Sequence, residues 1–147
     1  MAAPFVFRRF KVPLVILLGF LATLVSACQP SPISWKEIDP TPGATSYEGA
    51  AEKPLAIRLS TLLSGRNQQL LGKRVEYLPE GVSWKQHRAW RANSDADLRV
   101  GQAQQDGQGS GLLEAEFYDG SRELYLIAVK DSTTERLVVL TALAGPR

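Results

Sequence analysis

One cysteine and one histidine set the limits on the chemistry of this chain. Cys28 is the only thiol among 147 residues, which excludes an intramolecular disulfide and a cysteine-cluster zinc site. His87 is the only imidazole, which excludes a multi-histidine metal centre. A nucleophilic triad would have to use His87 as its base, with Ser83 and Asp95 as nearby candidates. No Gly-x-Ser-x-Gly elbow or comparable nucleophile setting surrounds that serine. Glu114 and Glu116 would share one face of a strand, which could place two acids in one cleft, as a glycosidase needs. The same spacing also describes the solvated face of an amphipathic strand. Asp95, Asp97 and Asp106 lack the spacing of a calcium loop. The glycine-rich residues 107–111 are not followed by the Lys-Ser/Thr and helix of a phosphate loop, so they read as a hairpin tip. Neither a metal nor a cofactor is expected.

Charge says more than any catalytic set. The whole chain carries 17 Lys and Arg against 15 Asp and Glu. Arg8, Arg9 and Lys11 belong to the leader; from Cys28 onward 14 bases face 15 acids. That balance argues against general nucleic-acid binding. Within the domain the charges segregate. Residues 73–91 hold five bases and two acids, and residues 106–135 hold seven acids and two bases. In the basic segment Lys73, Arg74, Lys85, Arg88 and Arg91 interleave with Trp84 and Trp90. Cations beside aromatic rings suit an anionic ligand or partner. Alternatively, the basic strand pairs with the acidic ones and the tryptophans are core.

The leader has three zones. Its first 11 residues are basic and free of acids, residues 12–25 carry no charge, and two small residues precede Cys28. This is the layout of a secretory signal peptide. The apolar run of 14 residues falls short of the ~20 that a permanent span needs. The four residues Val25-Ser26-Ala27-Cys28 resemble the lipobox of bacterial lipoproteins. The resemblance covers the leader, residues 1–27, and the cysteine that follows. It implies cleavage before Cys28, a diacylglyceryl thioether on its sulfur, and further acylation, such as palmitate, of the new N-terminus. Several acyl chains on one residue anchor stably, where a single chain is marginal. An ordinary secreted protein cleaved at the same small residues, and an uncleaved anchor, are the alternatives. Gln29 is not the aspartate that retains enteric-type lipoproteins at the inner membrane, so the resemblance favours the periplasmic face of the outer membrane.

These groups must be held by the segments that follow. Residues 28–46 contain four prolines and read as an extended tether from lipid to domain, in which Trp35 either folds back onto the domain or serves as a docking spot for a partner or the membrane interface. Residues 47–147 suffice for one core. Leu55, Leu59, Leu62 and Leu63 mark one face of a helix that Gly65 ends. Residues 67–71 read as a short turn or loop. After Gly72 the period changes to two. Val82, Trp84 and Trp90 share parity and suggest a strand over 82–92, with a helix over 83–92 as the rival. Strands follow from Leu98 and over 113–118, with Asp119-Gly120 as a hairpin turn. Residues 124–129 and 137–143 are apolar on both faces, so their sheet needs two covers.

The expected fold is α+β: one amphipathic helix on a curved antiparallel meander of four to five strands. In element order alone it is similar to the cystatin and NTF2-like plans. The expected role is a non-catalytic, membrane-anchored binding or assembly module for another envelope protein or an anionic envelope polymer. An inhibitor or immunity-type lipoprotein, and a periplasmic hydrolase using His87 or Glu114 and Glu116, are the competing readings. Oligomeric state is not legible.

Overall fold

The computed structural model describes residues 31–94, 98–104 and 111–147, with 100–104 described by backbone alone. One compact unit spans Pro32–Arg147. It is α+β. A six-stranded antiparallel sheet runs in the order β1-β2-β6-β5-β4-β3. Its strands are β1 (Thr45–Ser46), β2 (Gln68–Tyr77), β3 (Arg99–Gln104), β4 (Leu113–Tyr118), β5 (Glu123–Lys130) and β6 (Leu137–Pro146). Helix α1 (Glu52–Gly65) joins β1 to β2, and α2 (Trp84–Ser94) joins β2 to β3. The expected meander holds from β3 to β6. The chain then departs from it, because β2 pairs with β6 and lies four strands from β3.

The two central strands account for this layering. Tyr125, Ile127, Val138, Leu140, Ala142 and Ala144 point to one face, where Leu55 and Leu59 of α1 cover them. Leu124, Leu126, Ala128, Leu137, Val139 and Leu143 point to the other. That second face is covered by Trp84 of α2, together with Ile33, Ile38 and Trp35 from the proline-rich segment. The two-sided apolar strands are thus covered by the chain itself.

The proline-rich segment therefore corrects the expected boundary. Residues 32–46 are a strap built into the fold. Ile33, Ile38 and Thr41 are buried, and Trp35–Glu37 forms a single 3-10 turn. Prolines deny this stretch a ladder of its own, so side chains satisfy its backbone. Asp119 Oδ2 accepts the Ile33 N–H at 2.8 Å, and Arg122 donates to the Ile33 carbonyl. Arg74 donates to the Ile38 carbonyl, and Arg91 Nη1 to that of Asp39 at 2.9 Å. The buried Glu76 carboxylate accepts both the Thr41 N–H and its hydroxyl at 2.9 Å. Trp35 lies flat on β2 at Gly72, where a Cβ would come within 2.2 Å of the indole. Gly72 is required there because any side chain would displace the ring.

Residues 83–92 resolve as helix, and the strand expectation is corrected. The Ser83 hydroxyl accepts the Gln86 N–H at 3.2 Å, and Gln86 Oε1 accepts the Ser83 N–H at 2.9 Å. This reciprocal capping box starts a helix. The shared parity of Val82, Trp84 and Trp90 is coincidental. Residues 68–71, read as turn or loop, begin β2, with a register irregularity between Leu70 and Gly72. Helix α1 runs through Gly65, and Asn67 at φ 51° makes the left-handed step expected of that glycine.

Candidate functional site

Of the seven residues of the expected basic-aromatic patch, five stand on α2 and Arg74 meets the strap beside Arg91, while Lys73 stands apart from them. Lys73 is exposed and faces the α1 side of β2. Arg74 faces the opposite side, stacked 4.5 Å from the Trp35 ring. On α2, Trp84 and Arg91 are buried, Arg88 and Trp90 are half-buried, and Lys85 is exposed. Arg91 lies 4.3 Å from the Trp90 ring and holds the strap. Two of the expected ligand-binding cations, Arg74 and Arg91, are thus occupied by backbone carbonyls.

His87 is equally internal. With Trp84 and Arg91 it forms the buried face of α2. Its ring sits 5.8 Å from Trp90, stacked at 28°, and 6.2 Å from Trp84. Neither ring nitrogen has a hydrogen-bond partner among the described residues. Burial lowers its pKa to about 4, and the Arg91 charge adds to that effect. The ring is neutral at pH 7 and sealed from solvent. Ser83 serves as the cap of α2. Asp95, Asp97, Asp106 and residues 107–110 lie outside the described residues, as does Cys28.

The paired carboxylates are bound separately. Arg58 of α1 takes Glu114, with Nη2 to Oε2 at 3.0 Å. Arg66 spans Glu116 at 2.7 Å and Glu123 at 2.8 Å, and reaches the Tyr125 hydroxyl at 3.2 Å. The Glu116 bond raises the Arg66 pKa further above its already high value. Burial pushes the Tyr125 hydroxyl up, and the neighbouring Glu123 adds to it. Burial also pushes Glu123 upward, but hydrogen bonds from Tyr125, Gln68 and Arg66 outweigh it and leave the carboxyl below its usual range. This row of ion pairs clamps α1 to β4 and β5. It does not form an acid-base pair facing a cleft.

Two grooves remain. One, about 420 Å³, lies between the start of α2 and the β5–β6 turn. Its charges, Glu80 and Glu135 against Lys130 and Arg136, balance one another. The second, about 400 Å³, lies between α1 and β2. Its lining is mixed: Leu59, Leu63 and Leu70 are apolar, Ser64, Gln68 and Gln69 are polar, Ser60 is exposed on its wall, and Lys73 and Arg147 have its charged side chains.

The second groove borders an open sheet edge. β1 pairs with β2 only at Tyr77 and Glu76. One further bond runs from the Tyr47 N–H to the Val75 carbonyl at 3.0 Å. Beyond it, residues 68–74 of β2 have no ladder partner on that side among the described residues. Leu70 and Leu71, 40% and 36% exposed, stand on this stretch. Sequence reasoning missed the edge because it began the strand pattern only after Gly72. The available signal was Leu70-Leu71, an apolar pair beside a glycine with no place on the α1 stripe.

Comparison with protein-family models, curated proteins and solved structures gave no match. Among the described residues no helix is long and apolar enough to cross a membrane, and no group of three metal-ligating side chains gathers.

Proposed function

We propose that this chain is a lipid-anchored envelope protein whose domain is a non-catalytic binding module for another envelope protein. The anchor is Cys28, argued from the leader and from Val25-Ser26-Ala27-Cys28. The observation that carries the binding role is the α1–β2 groove, with leucines and polar side chains in its lining and an open strand edge beside it. A monomer with no partner gains nothing from a long unpaired edge next to exposed leucines, which is an aggregation hazard. The groups that sequence offered for hydrolysis are engaged in the fold: His87 between tryptophans, Glu114 and Glu116 on arginines. The protein-partner reading is preferred over the anionic-polymer reading because Arg74 and Arg91 hold the strap.

The strap also shortens the link to the lipid. Ile33 is buried, so a lipidated Cys28 stands five positions from the first buried residue of the fold. Five steps of chain reach at most about 18 Å. On this reading the partner meets the domain close to the bilayer that holds the anchor.

Site-specific photocrosslinking in the native envelope tests the proposal. A photoreactive residue at Ser60, on the groove wall, is expected to capture a discrete protein band. A matched probe at exposed Lys85 of α2 is expected to capture none. Capture of glycan from Lys85, with no protein from Ser60, would contradict the proposal in favour of the polymer reading.

A further inference from the structure

We infer that the outer edge of β2 takes an extended, acidic segment of a partner protein as an added strand, lying in the groove beside α1. The inference rests on the binding-module reading above and names the partner's chemistry.

The argument starts from the direction of the amides. In an antiparallel ladder the N–H and C=O of one residue point to the same neighbour, and successive residues alternate. The Tyr47 N–H bonds to the Val75 carbonyl, so Val75 turns its amide groups toward the outer edge. Alternation turns those of Lys73 the same way. Past Tyr47 the chain leaves the edge for α1, and nothing among the described residues takes up the ladder. The Arg147 guanidinium donates to the Gln68 carbonyl at 3.2 Å and so marks the far end of the open stretch. Between these limits the backbone offers the donors and acceptors that strand addition uses.

The groove supplies the second requirement. A strand laid on this edge presents alternate side chains to α1. There they meet Leu59, Leu63 and Leu70, which favour apolar residues. The groove's charged side chains are Lys73 and Arg147, with no acidic side chain among its lining residues. An acidic segment is favoured and a basic one is repelled. The same two cations oppose a second copy of this chain. Pairing β2 with its own symmetry mate would bring Lys73 and Arg147 toward their equivalents, a device by which natural edges avoid self-association.

The test uses the full chain in detergent and a fluorescent peptide of about eight residues alternating valine with glutamate. Its counterparts carry lysine for glutamate, or N-methyl groups on alternate amides. The glutamate peptide is expected to bind at least about tenfold more tightly than either counterpart, since each loses charge pairing or ladder bonds. Lys73→Glu with Arg147→Glu is expected to reverse the charge preference. Both positions are exposed, and an unchanged unfolding midpoint confirms the fold. Equal binding of the glutamate and lysine peptides would overturn the inference, as would binding indifferent to N-methylation. Formation of a dimer that the peptide disrupts would overturn it in favour of self-pairing. A Ser60 crosslink to an envelope protein with no peptide binding would overturn strand addition and leave the module reading standing. Loss of both removes the module reading as well.

Discussion

Arg91, at the C-terminal half of α2, donates from Nη1 to the carbonyl of Asp39 across 52 positions of sequence. That bond ties a buried cation, 1% exposed, to a segment whose composition describes a free tether. The relationship explains two departures at once. The strap is structural because arginines and acids of the sheet layer satisfy its backbone. Two cations of the expected basic patch, Arg74 and Arg91, are among the groups that do so.

A chain beginning at Tyr47 should consequently fail to fold cooperatively, while one beginning at Ser31 should fold. The shorter chain loses Ile33, Ile38 and Trp35 from the second face of the sheet, and β1 from its edge. Burying two such aliphatic side chains and an indole contributes several kcal/mol, comparable to the whole stability of a small domain. Arg91→Ala, which keeps the strap but removes its tie, should cost about 2 kcal/mol. Urea unfolding followed by circular dichroism measures both effects. Cooperative unfolding of the shorter chain would refute the structural role of the strap.

Two glycines should respond in opposite directions. Gly72→Ala forces a methyl into the Trp35 ring, 2.2 Å from Cγ, and should destabilise by about 1–3 kcal/mol while shifting tryptophan emission to the red. Gly65→Ala meets no atom within 4 Å at the end of α1 and should stabilise by up to about 1 kcal/mol. Paired denaturant curves read the difference.

His87 should make stability depend on pH within a defined window. Its folded pKa, about 4, lies below the ordinary value of 6.5, so between the two the unfolded chain binds more protons than the folded one. Stability falls as pH drops from 6.5 toward 4 and is unaffected by this group above 6.5. The full loss is on the order of 3 kcal/mol. His87→Phe should flatten that slope, because a ring without hydrogen-bond partners forfeits no bond when replaced by an apolar one. Thermal midpoints measured at intervals from pH 4 to 7 give the slope. An identical slope in the variant would show that other groups set it.

The ion-pair row on α1 should matter modestly and yield to salt. Arg66, 40% exposed at its side chain, bridges Glu116 and Glu123. Arg66→Met should cost about 1 kcal/mol at low ionic strength, and less in 1 M NaCl. A cost that does not change with salt would point to packing of the arginine stem on Tyr125, 5.5 Å away.

The sequence carried the parts of this fold that repeat. The leucine stripe of α1, the two-sided apolar character of β5 and β6, and the Asp119-Gly120 turn are all periodic or local signals, and each appears where its residues place it. What escaped is non-local. That Arg74, Arg91, Glu76, Asp119 and Arg122 bond to strap backbone depends on pairings 35 to 89 positions apart, which no window detects. The helix of residues 84–94 turned on Ser83 and Gln86, a three-residue spacing obscured by three apolar residues of equal parity. The open edge of β2 depends on which strand lies beside it, and β6, its neighbour, is the last in the chain.

The central claim is that this module works while fixed to a membrane through Cys28. Intact mass of the protein extracted from its native envelope tests it most directly. The account predicts a chain starting at Cys28, its sulfur bearing a diacylglyceryl group, with residues 1–27 gone. A free Cys28 thiol, or a chain that retains Met1, would contradict it.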